Sequence, residues 1–369
     1  MKIAMLGHKR IPSREGGVEV VVEELSTRMV KKGHQVVAYN RKGKHVSDDT
    51  YSLKKLKEYE GVNIKTVFTV DKKGLNAMIY SVLASIRATF GKYDVIHYHA
   101  EGPCAMIWLP KLFGKRTVAT IHGLDWQRSK WGGFATKYLK FGEKMAAKKA
   151  DEVIVLSKNM QRYFKETYGR DTVYIPNGLH LPNRRDAALI TDKYGLTKGS
   201  YVLFLARIVP EKGVHYLLEA FRGVDTDKKL VIAGGASHSS DYMQEVKKLA
   251  AKDDRVIMTG FVQDELLEEL YSNCCLYVLP SDLEGMPISL LEAMGYGRRC
   301  LVSDIPENTE LVGTHATSFK HGNVEDLKEK LSAMLKEDKT EQLENISYVE
   351  ENFNWDSIVD RTLALYKKQ

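Results

Sequence analysis

The sequence is poor in several features, and each shortage removes a class of protein. Only four cysteines occur in 369 residues, Cys104, Cys274, Cys275 and Cys300. Their spacings match no metal motif, and their number does not suggest a disulfide framework, so they are expected as buried thiols in a reducing cytoplasm. No apolar run approaches the ~20 residues of a membrane span. The opening Met1–Gly7 is too short for a secretory signal and reads as a first strand. No H-E-x-x-H or comparable spacing accompanies His97, His99 and His122, which fall at expected strand ends, so no metal site is expected there. The G-x-G-x-x-G fingerprint follows none of the expected strands, which argues against a nicotinamide dehydrogenase. Asp48-Asp49 and Asp253-Asp254 stand in polar turns and are read as surface. There is no internal repeat and no low-complexity segment.

What is present is a chain of two-domain length, 43% hydrophobic and 28% charged, as in a soluble globular enzyme. Its charge is unevenly placed. Residues 1–187 hold 34 Lys+Arg against 18 Asp+Glu, or +16, and the remainder holds 21 against 30, or −9. A basic half points to an anionic partner. Its cations, Lys137, Lys140, Lys144, Lys148 and Lys149 among them, show no nucleic-acid recognition motif. An anionic membrane face, or a lipid-pyrophosphate-linked acceptor on it, fits better than nucleic acid. The expected location is cytoplasmic and peripheral on the inner face of the cell membrane.

Strand-like and amphipathic helical runs alternate throughout, which implies parallel α/β units. In the first half, strands are expected near 2–6, 35–39, 95–98, 117–121, 152–156 and 172–175. Helices are expected near 17–31, 74–90, 102–112, 132–149 and 158–167. Residues 177–199, rich in Asn, Pro, Arg and Gly, read as a linker. In the second half, strands are expected near 201–205, 229–233, 255–258, 275–279 and 299–302. Helices are expected near 213–222, 239–251, 264–272, 287–296 and 324–336, with a final amphipathic helix from Trp355 to Lys368.

Residues 281–297 carry the strongest chemical signal. Glu284 lies in a Gly-containing loop and Glu292, eight residues on, in an apolar helical pattern. Pro287 suits the first turn of that helix. Its N-terminus offers unpaired N–H groups and a positive dipole end to an anion. A carboxylate beside an anion site suits a phosphate next to hydroxyls, the chemistry of a nucleotide sugar. A second loop, Arg207-Ile-Val-Pro-Glu-Lys212-Gly213, leaves the strand run Tyr201–Ala206 with two cations, at the kind of strand end where open α/β sheets bind ligands. In the first half, Gly7–Gly17 is a basic loop entering a helix, and Gly16 and Gly17 would let the backbone approach a diphosphate.

With these features together, the chain resembles a retaining family 4 glycosyltransferase of the GT-B fold. The resemblance rests on Glu284 and Glu292, the Arg207/Lys212 pair, Gly16-Gly17 and Ile175-Pro176-Asn177-Gly178. The opening from Met5 to Glu19 also resembles bacterial rhamnosyltransferases. The resemblance implies two Rossmann-like parallel-sheet domains, 1–180 and 181–352, facing across a cleft, and a C-terminal helix, 353–369, crossing back onto the first. It implies that His122 contacts the donor sugar, Glu284 holds sugar hydroxyls and Glu292 ribose hydroxyls. The leaving diphosphate would be met by Arg207, Lys212 and the helix after Gly285, Met286, Pro287 and Ile288. The base would lie near Gly260, Phe261 and Val262, and Lys9, Arg10, Arg14 and Asp125 are candidates on the acceptor side. Two departures are visible. His180 stands where the family usually has Asp, and a 6-deoxy sugar would leave His122 without a 6-hydroxyl to contact.

The reaction so implied is metal-independent transfer of a hexose, rhamnose by this resemblance, from a dTDP-, UDP- or GDP-linked donor to a polysaccharide or lipid-linked saccharide. No cofactor is involved, and the anomeric configuration is retained. A nucleotide-sugar epimerase or a phosphorylase on the same fold, and a non-catalytic nucleotide-sugar-binding protein, are the alternatives.

Overall fold

The structure, a computed structural model, describes residues 1–13, 16–43, 56–72, 75–127, 132–235, 240–337 and 339–367. The chain forms two compact units: Met1–Gly178 with Trp355–Gln369, and Leu179–Asn354.

The first unit is built on an eight-stranded sheet. Its strands are β1 (Lys2–Leu6), β2 (Gln35–Arg41), β3 (Glu58–Tyr59), β4 (Val62–Val67), β5 (Val95–His99), β6 (Arg116–Ile121), β7 (Glu152–Val155) and β8 (Val173–Tyr174), in the order β3-β4-β2-β1-β5-β6-β7-β8. Only β3–β4 is antiparallel. Strand β1 is buried on both faces, which is why it reads as a continuous apolar run. The two-residue period divides it: Ile3 and Met5 enter one core, Ala4 and Leu6 the other. The helices are α1 (Gly17–Lys31), α2 (Leu75–Thr89), α3 (Glu101–Cys104), α4 (Trp108–Leu112), α5 (Gly133–Lys149), α6 (Lys158–Tyr168) and, from the end of the chain, α15 (Trp355–Tyr366).

Helix α15 belongs to this unit because of its apolar stripe. Trp355, Ile358, Val359, Leu363 and Tyr366 recur at helical spacing and join Val21, Val22 and Leu25 of α1 in one core. Arg28–Asp356 and Lys32–Asp360 flank the contact at 2.7 Å each. Their acids are largely exposed, so packing rather than charge holds the helix. Gly178 permits the approach, since a Cβ there would lie 2.5 Å from the Trp355 ring.

The second unit has six strands, β9 (Tyr201–Leu205), β10 (Lys229–Ala233), β11 (Val256–Gly260), β12 (Leu276–Leu279), β13 (Cys300–Ser303) and β14 (Thr317–Phe319), all parallel in the order β11-β10-β9-β12-β13-β14. Its helices are α7 (Leu189–Tyr194), α8 (Val214–Arg222), α9 (Ser240–Ala250), α10 (Asp264–Asn273), α11 (Ile288–Gly295), α12 (Pro306–Val312), α13 (Val324–Lys336) and α14 (Glu344–Asn352). Again the strand alternates between cores, Val202 and Phe204 on one face and Tyr201 and Leu203 on the other.

Several expectations are corrected. The interval 177–199 is not a free linker. Ile190 of α7 is fully buried in the second unit's core, and Glu269 accepts from the backbone N–H groups of Ala188 and Ile190 at 2.9 and 3.0 Å. The single helix expected over 102–112 is two short ones, because Pro110 has no N–H and its ring would strike the Met106 carbonyl. Strand β4 was missed because its exposed positions, Asn63, Lys65 and Thr66, break up the apolar run. Strand β14 and helices α12 and α14 were missed as well. Pro287 caps α11 rather than standing in its first turn. All four cysteines are free and buried.

Candidate functional site

In the second unit β9 lies between β10 and β12, so the chain leaves β9 in one direction across the sheet and returns on its other side. Open parallel sheets bind ligands at this reversal, outside the carboxyl ends of the strands. The loops after β9 and β12 are the two that carry Arg207/Lys212 and Glu284. They are packed together: the Asp282 N–H donates to the Glu211 carbonyl at 2.9 Å. Gly213, with φ +63°, makes this possible, because a Cβ there would meet the Pro280 oxygen at 2.0 Å.

Lys212 Nζ donates to Glu284 Oε1 at 2.5 Å, and the Ser281 hydroxyl donates to the same oxygen at 2.6 Å. The Lys212 and Glu284 side chains are 15% and 6% exposed, so water screens this pair weakly. Behind it, Ser303 donates to the Ser281 carbonyl at 2.6 Å, and Asn308 donates to the Ser303 hydroxyl at 3.0 Å. Glu284 is therefore fixed from the β13–α12 side. The sequence reading missed Ser281, Ser303 and Asn308; short polar residues at strand ends are too common to stand out. It also treated Lys212 and Glu284 as separate contacts, one to phosphate and one to sugar, whereas the fold pairs them directly. Arg207 is exposed at the end of β9.

Gly285 and Met286 lead into α11, where the first bonds back to the cap come from the Leu290 and Leu291 N–H groups to the Pro287 carbonyl at 3.1 and 3.2 Å, so the N–H groups of Ile288 and Ser289 precede the helical ladder. Glu292 lies one turn into α11, half-buried, and accepts from the buried Tyr271 hydroxyl at 2.9 Å. Tyr271 in turn stacks on Tyr296 with ring centroids 5.2 Å apart. At the end of β11, Gly260 takes φ +72° and its carbonyl accepts from Gly234 N–H at 2.8 Å; Phe261 is 63% exposed and Val262 is buried. The fold thus brings Arg207, Lys212, Glu284 and the start of α11 to one sheet edge, with Gly260–Val262 farther along it.

The remaining candidates belong to the first unit. Gly16 is the N-cap of α1 and Gly17 its first residue. Residues 9–13 before them are held by the rest of the unit: Lys9 N–H donates to Glu19 Oε1 at 2.8 Å, Ser13 N–H to Glu23 at 3.2 Å, and Asn40 both accepts from and donates to the Ile11 backbone. Arg10 reaches the Gly43 carbonyl at 3.1 Å. Arg14 lies outside the described residues, as do Asp48 and Asp49. Asp125 opens a single 3-10 turn whose Trp126 donates to the buried Glu143 at 2.9 Å.

His122 follows β6. Its Nε2 lies 3.1 Å from His99 Nδ1, and the His99 ring packs against His97 at a tilt of 34° with centroids 4.1 Å apart. His97 is held by the Tyr366 hydroxyl at 2.6 Å and Thr120 at 2.7 Å. Burial drives the His97 pKa down to about 3 and that of His99 well below its ordinary value. Both therefore stay neutral near pH 7, and the row orients His122 instead of exchanging protons with solvent.

The family profile described as glycosyl transferases group 1 matches residues 188–352, and that described as glycosyltransferase family 4 matches residues 15–181. An uncharacterised glycosyltransferase of Methanocaldococcus jannaschii is 25% identical, over 85% of this chain and 83% of its own. The UDP-Gal:α-D-GlcNAc-diphosphoundecaprenol α-1,3-galactosyltransferase of Escherichia coli is 29% identical over 62% of each chain. Among solved structures, a sucrose-phosphate synthase from Thermosynechococcus elongatus superposes with a TM-score of 0.84 at 20% identity, over 99% of this chain and 98% of that one. One profile accounts for each half, and the chain belongs to the family 4 glycosyltransferases, enzymes of the GT-B fold.

Proposed function

We propose that this glycosyltransferase moves a hexose from a nucleotide sugar, bound at the strand reversal of the second unit, to a saccharide carried on lipid pyrophosphate. The observation that carries the donor half is the meeting of the β9 and β12 loops, which gathers Arg207, Lys212, Glu284 and the start of α11. Departure of a nucleoside diphosphate builds negative charge on phosphate oxygens. Arg207, Lys212 and the N-terminal N–H groups of α11 oppose that charge from fixed positions. Glu284 would hold sugar hydroxyls and Glu292 ribose hydroxyls, with Gly260–Val262 toward the base. Transfer with retention rests on the Glu284/Glu292 spacing alone. Lys9, Arg10 and Asp125 stay candidates for the acceptor, as does Arg14.

Rhamnose as the sugar rests on the resemblance of the opening loop, whereas the E. coli relative is named for UDP-galactose. The deciding measurement is nucleotide release from dTDP-rhamnose, UDP-glucose, UDP-galactose, UDP-N-acetylglucosamine and GDP-mannose, with and without a lipid-pyrophosphate-linked saccharide. Acceptor-dependent release from one donor is expected. Turnover of a UDP or GDP sugar but not dTDP-rhamnose would remove the rhamnose assignment and leave the transferase. Because the site supplies cations from its own side chains, turnover is expected to persist in EDTA. Abolition by the chelator, with rescue by magnesium or manganese, would overturn that chemistry.

A peripheral membrane seat is supported by α5. Its outward face presents Phe134, Lys137, Phe141, Lys144 and Lys148, with Lys140 and Lys149 beside them, and the one acid of the helix, Glu143, is buried. Phe134 and Phe141 are 73% and 47% exposed. Lysines attract an anionic surface and exposed aromatics enter it. The protein is expected to bind phosphatidylglycerol vesicles in sedimentation assays, to release as salt shortens the ~8 Å Debye length, and to bind less after Phe134→Ser with Phe141→Ser. Equal binding to neutral vesicles would argue for a soluble acceptor. Among the described residues no helix is long and apolar enough to cross a membrane.

A further inference from the structure

The tyrosines beneath α11 carry hydroxyls that packing alone does not need. Tyr271, near the end of α10, and Tyr277, on β12, are fully buried. Their ring centroids lie 5.9 Å apart, and the Tyr271 ring stacks on Tyr296 at 5.2 Å with 15° between the planes. Phenylalanine would fill the same space, whereas a phenol taken out of water must find partners. The Tyr277 hydroxyl lies 2.8 Å from the Ser289 hydroxyl and 3.2 Å from the Leu205 carbonyl. It ties the first turn of α11 to the end of β9, just before Arg207. The helix itself is thereby fixed from the strand side.

The Tyr271 hydroxyl donates to Glu292 Oε2 at 2.9 Å and also meets the Ser289 carbonyl at 3.1 Å. A helical carbonyl is served in any case by the N–H four residues on, so the phenol's own contribution is its bond to the carboxylate. Glu292 is the one charged residue of α11, and its neighbours Leu291 and Ala293 are fully buried. Burial, and after it the Glu292 charge, push the Tyr271 pKa well above its ordinary value, so the hydroxyl stays a donor near pH 7. Hydrogen bonds to an ionised acceptor are the stronger kind. A glutamate side chain has several torsions, and ordering them when a ligand binds lowers affinity. A donor held between two other rings orders them before the ligand arrives.

We propose that Tyr271 is a positioning residue for donor binding: it holds Glu292 in the arrangement that receives the ribose hydroxyls, and so sets affinity for the nucleoside and not for the diphosphate. The inference rests on the nucleotide-sugar reading of the second unit and adds to it a residue outside its charged motifs.

The test is calorimetric titration of the full chain with UDP, dTDP, GDP and inorganic pyrophosphate. Tyr271→Phe keeps the ring and is expected to weaken the tightest nucleoside diphosphate about tenfold while changing pyrophosphate less than about twofold. In turnover the loss should appear in the donor KM and not in kcat. On a Glu292→Ala background, Tyr271→Phe should cause no further loss, since the two residues act as a unit. Tyr201→Phe removes another buried phenol of the same core, whose hydroxyl donates to the Leu270 carbonyl at 2.7 Å, and should leave nucleotide affinity as it is. Thermal unfolding confirms that each variant is folded. Unchanged nucleoside diphosphate affinity in Tyr271→Phe, an equal loss for pyrophosphate, or the same loss on the Glu292→Ala background overturns the proposal and leaves the donor reading standing. Full nucleoside diphosphate affinity in Glu292→Ala, or no binding of any of the three, overturns that reading and the proposal with it.

Discussion

Lys212→Ala is expected to lower turnover by about 10²-fold or more, and to destabilise the second unit at the same time. The two effects have different origins. In turnover, the ammonium opposes charge that develops on the departing diphosphate, so its loss is felt in the transition state. In stability, Lys212 is the cation paired with Glu284 at 2.5 Å, and Glu284 is only 6% exposed. Removing one partner of a buried pair leaves the other charge uncompensated, at a cost of roughly 3–5 kcal/mol. The Ser281 hydroxyl, still 2.6 Å from Oε1, offsets part of it. Arg207→Ala should separate the two effects. Arg207 is exposed, so its loss should cut turnover by a similar factor of about 10² with little change in stability. Steady-state kinetics with the preferred donor, and urea unfolding of both variants, measure this. Near wild-type turnover in both would remove the phosphate cradle from the mechanism.

Mild acid is expected to weaken the first unit well before its carboxylates titrate. His8 and His97 are fully buried, and burial lowers their pKa values to about 4 and about 3 from 6.5. Below pH 6.5 the unfolded chain takes up protons on these residues and the folded chain does not. Unfolding therefore becomes more favourable as pH falls from 6.5 toward 4, and stability is regained as pH rises. At pH 5 each histidine accounts for about 2 kcal/mol, together about 4 kcal/mol, a large part of a typical domain's stability. His99 acts in the same direction. Urea unfolding at pH 7.5 and 5.0, with hydrogen exchange on β1 and β5 to assign the transition to this unit, reads the loss. His97→Gln should reduce the pH dependence even if it lowers stability at pH 7.5. Equal stability at the two pH values would mean that these rings are hydrated or already protonated.

Some features were legible in the chain because they depend on neighbours in sequence. The runs Lys2–Leu6 and Tyr201–Leu205 are continuous and apolar because both faces of a parallel sheet are covered, and they were read to the residue. The stripe of Trp355, Ile358, Val359 and Leu363 announced an amphipathic helix. The signal failed where polarity and burial part company. Strand β4 alternates polar and apolar positions, and α7 is short and polar yet contributes the fully buried Ile190 to a core. At the site, Arg207, Lys212, Glu284 and Glu292 were visible as an arrangement of charges around two loops. The supporting Ser281, Ser303 and Asn308 were not, because their meaning lies in contacts between loops.

The sequence alone therefore determined the class of protein: two parallel α/β units, no spanning helix, and a constellation of cations and carboxylates suited to a nucleotide sugar. Each of these follows from local periodicity or from spacing within one segment. Tertiary structure alone decided that Lys212 pairs with Glu284 across 72 positions and that Gly213 is required because Pro280 passes beneath it. These depend on which strand ends become neighbours, and strand order is set by packing over the whole sheet.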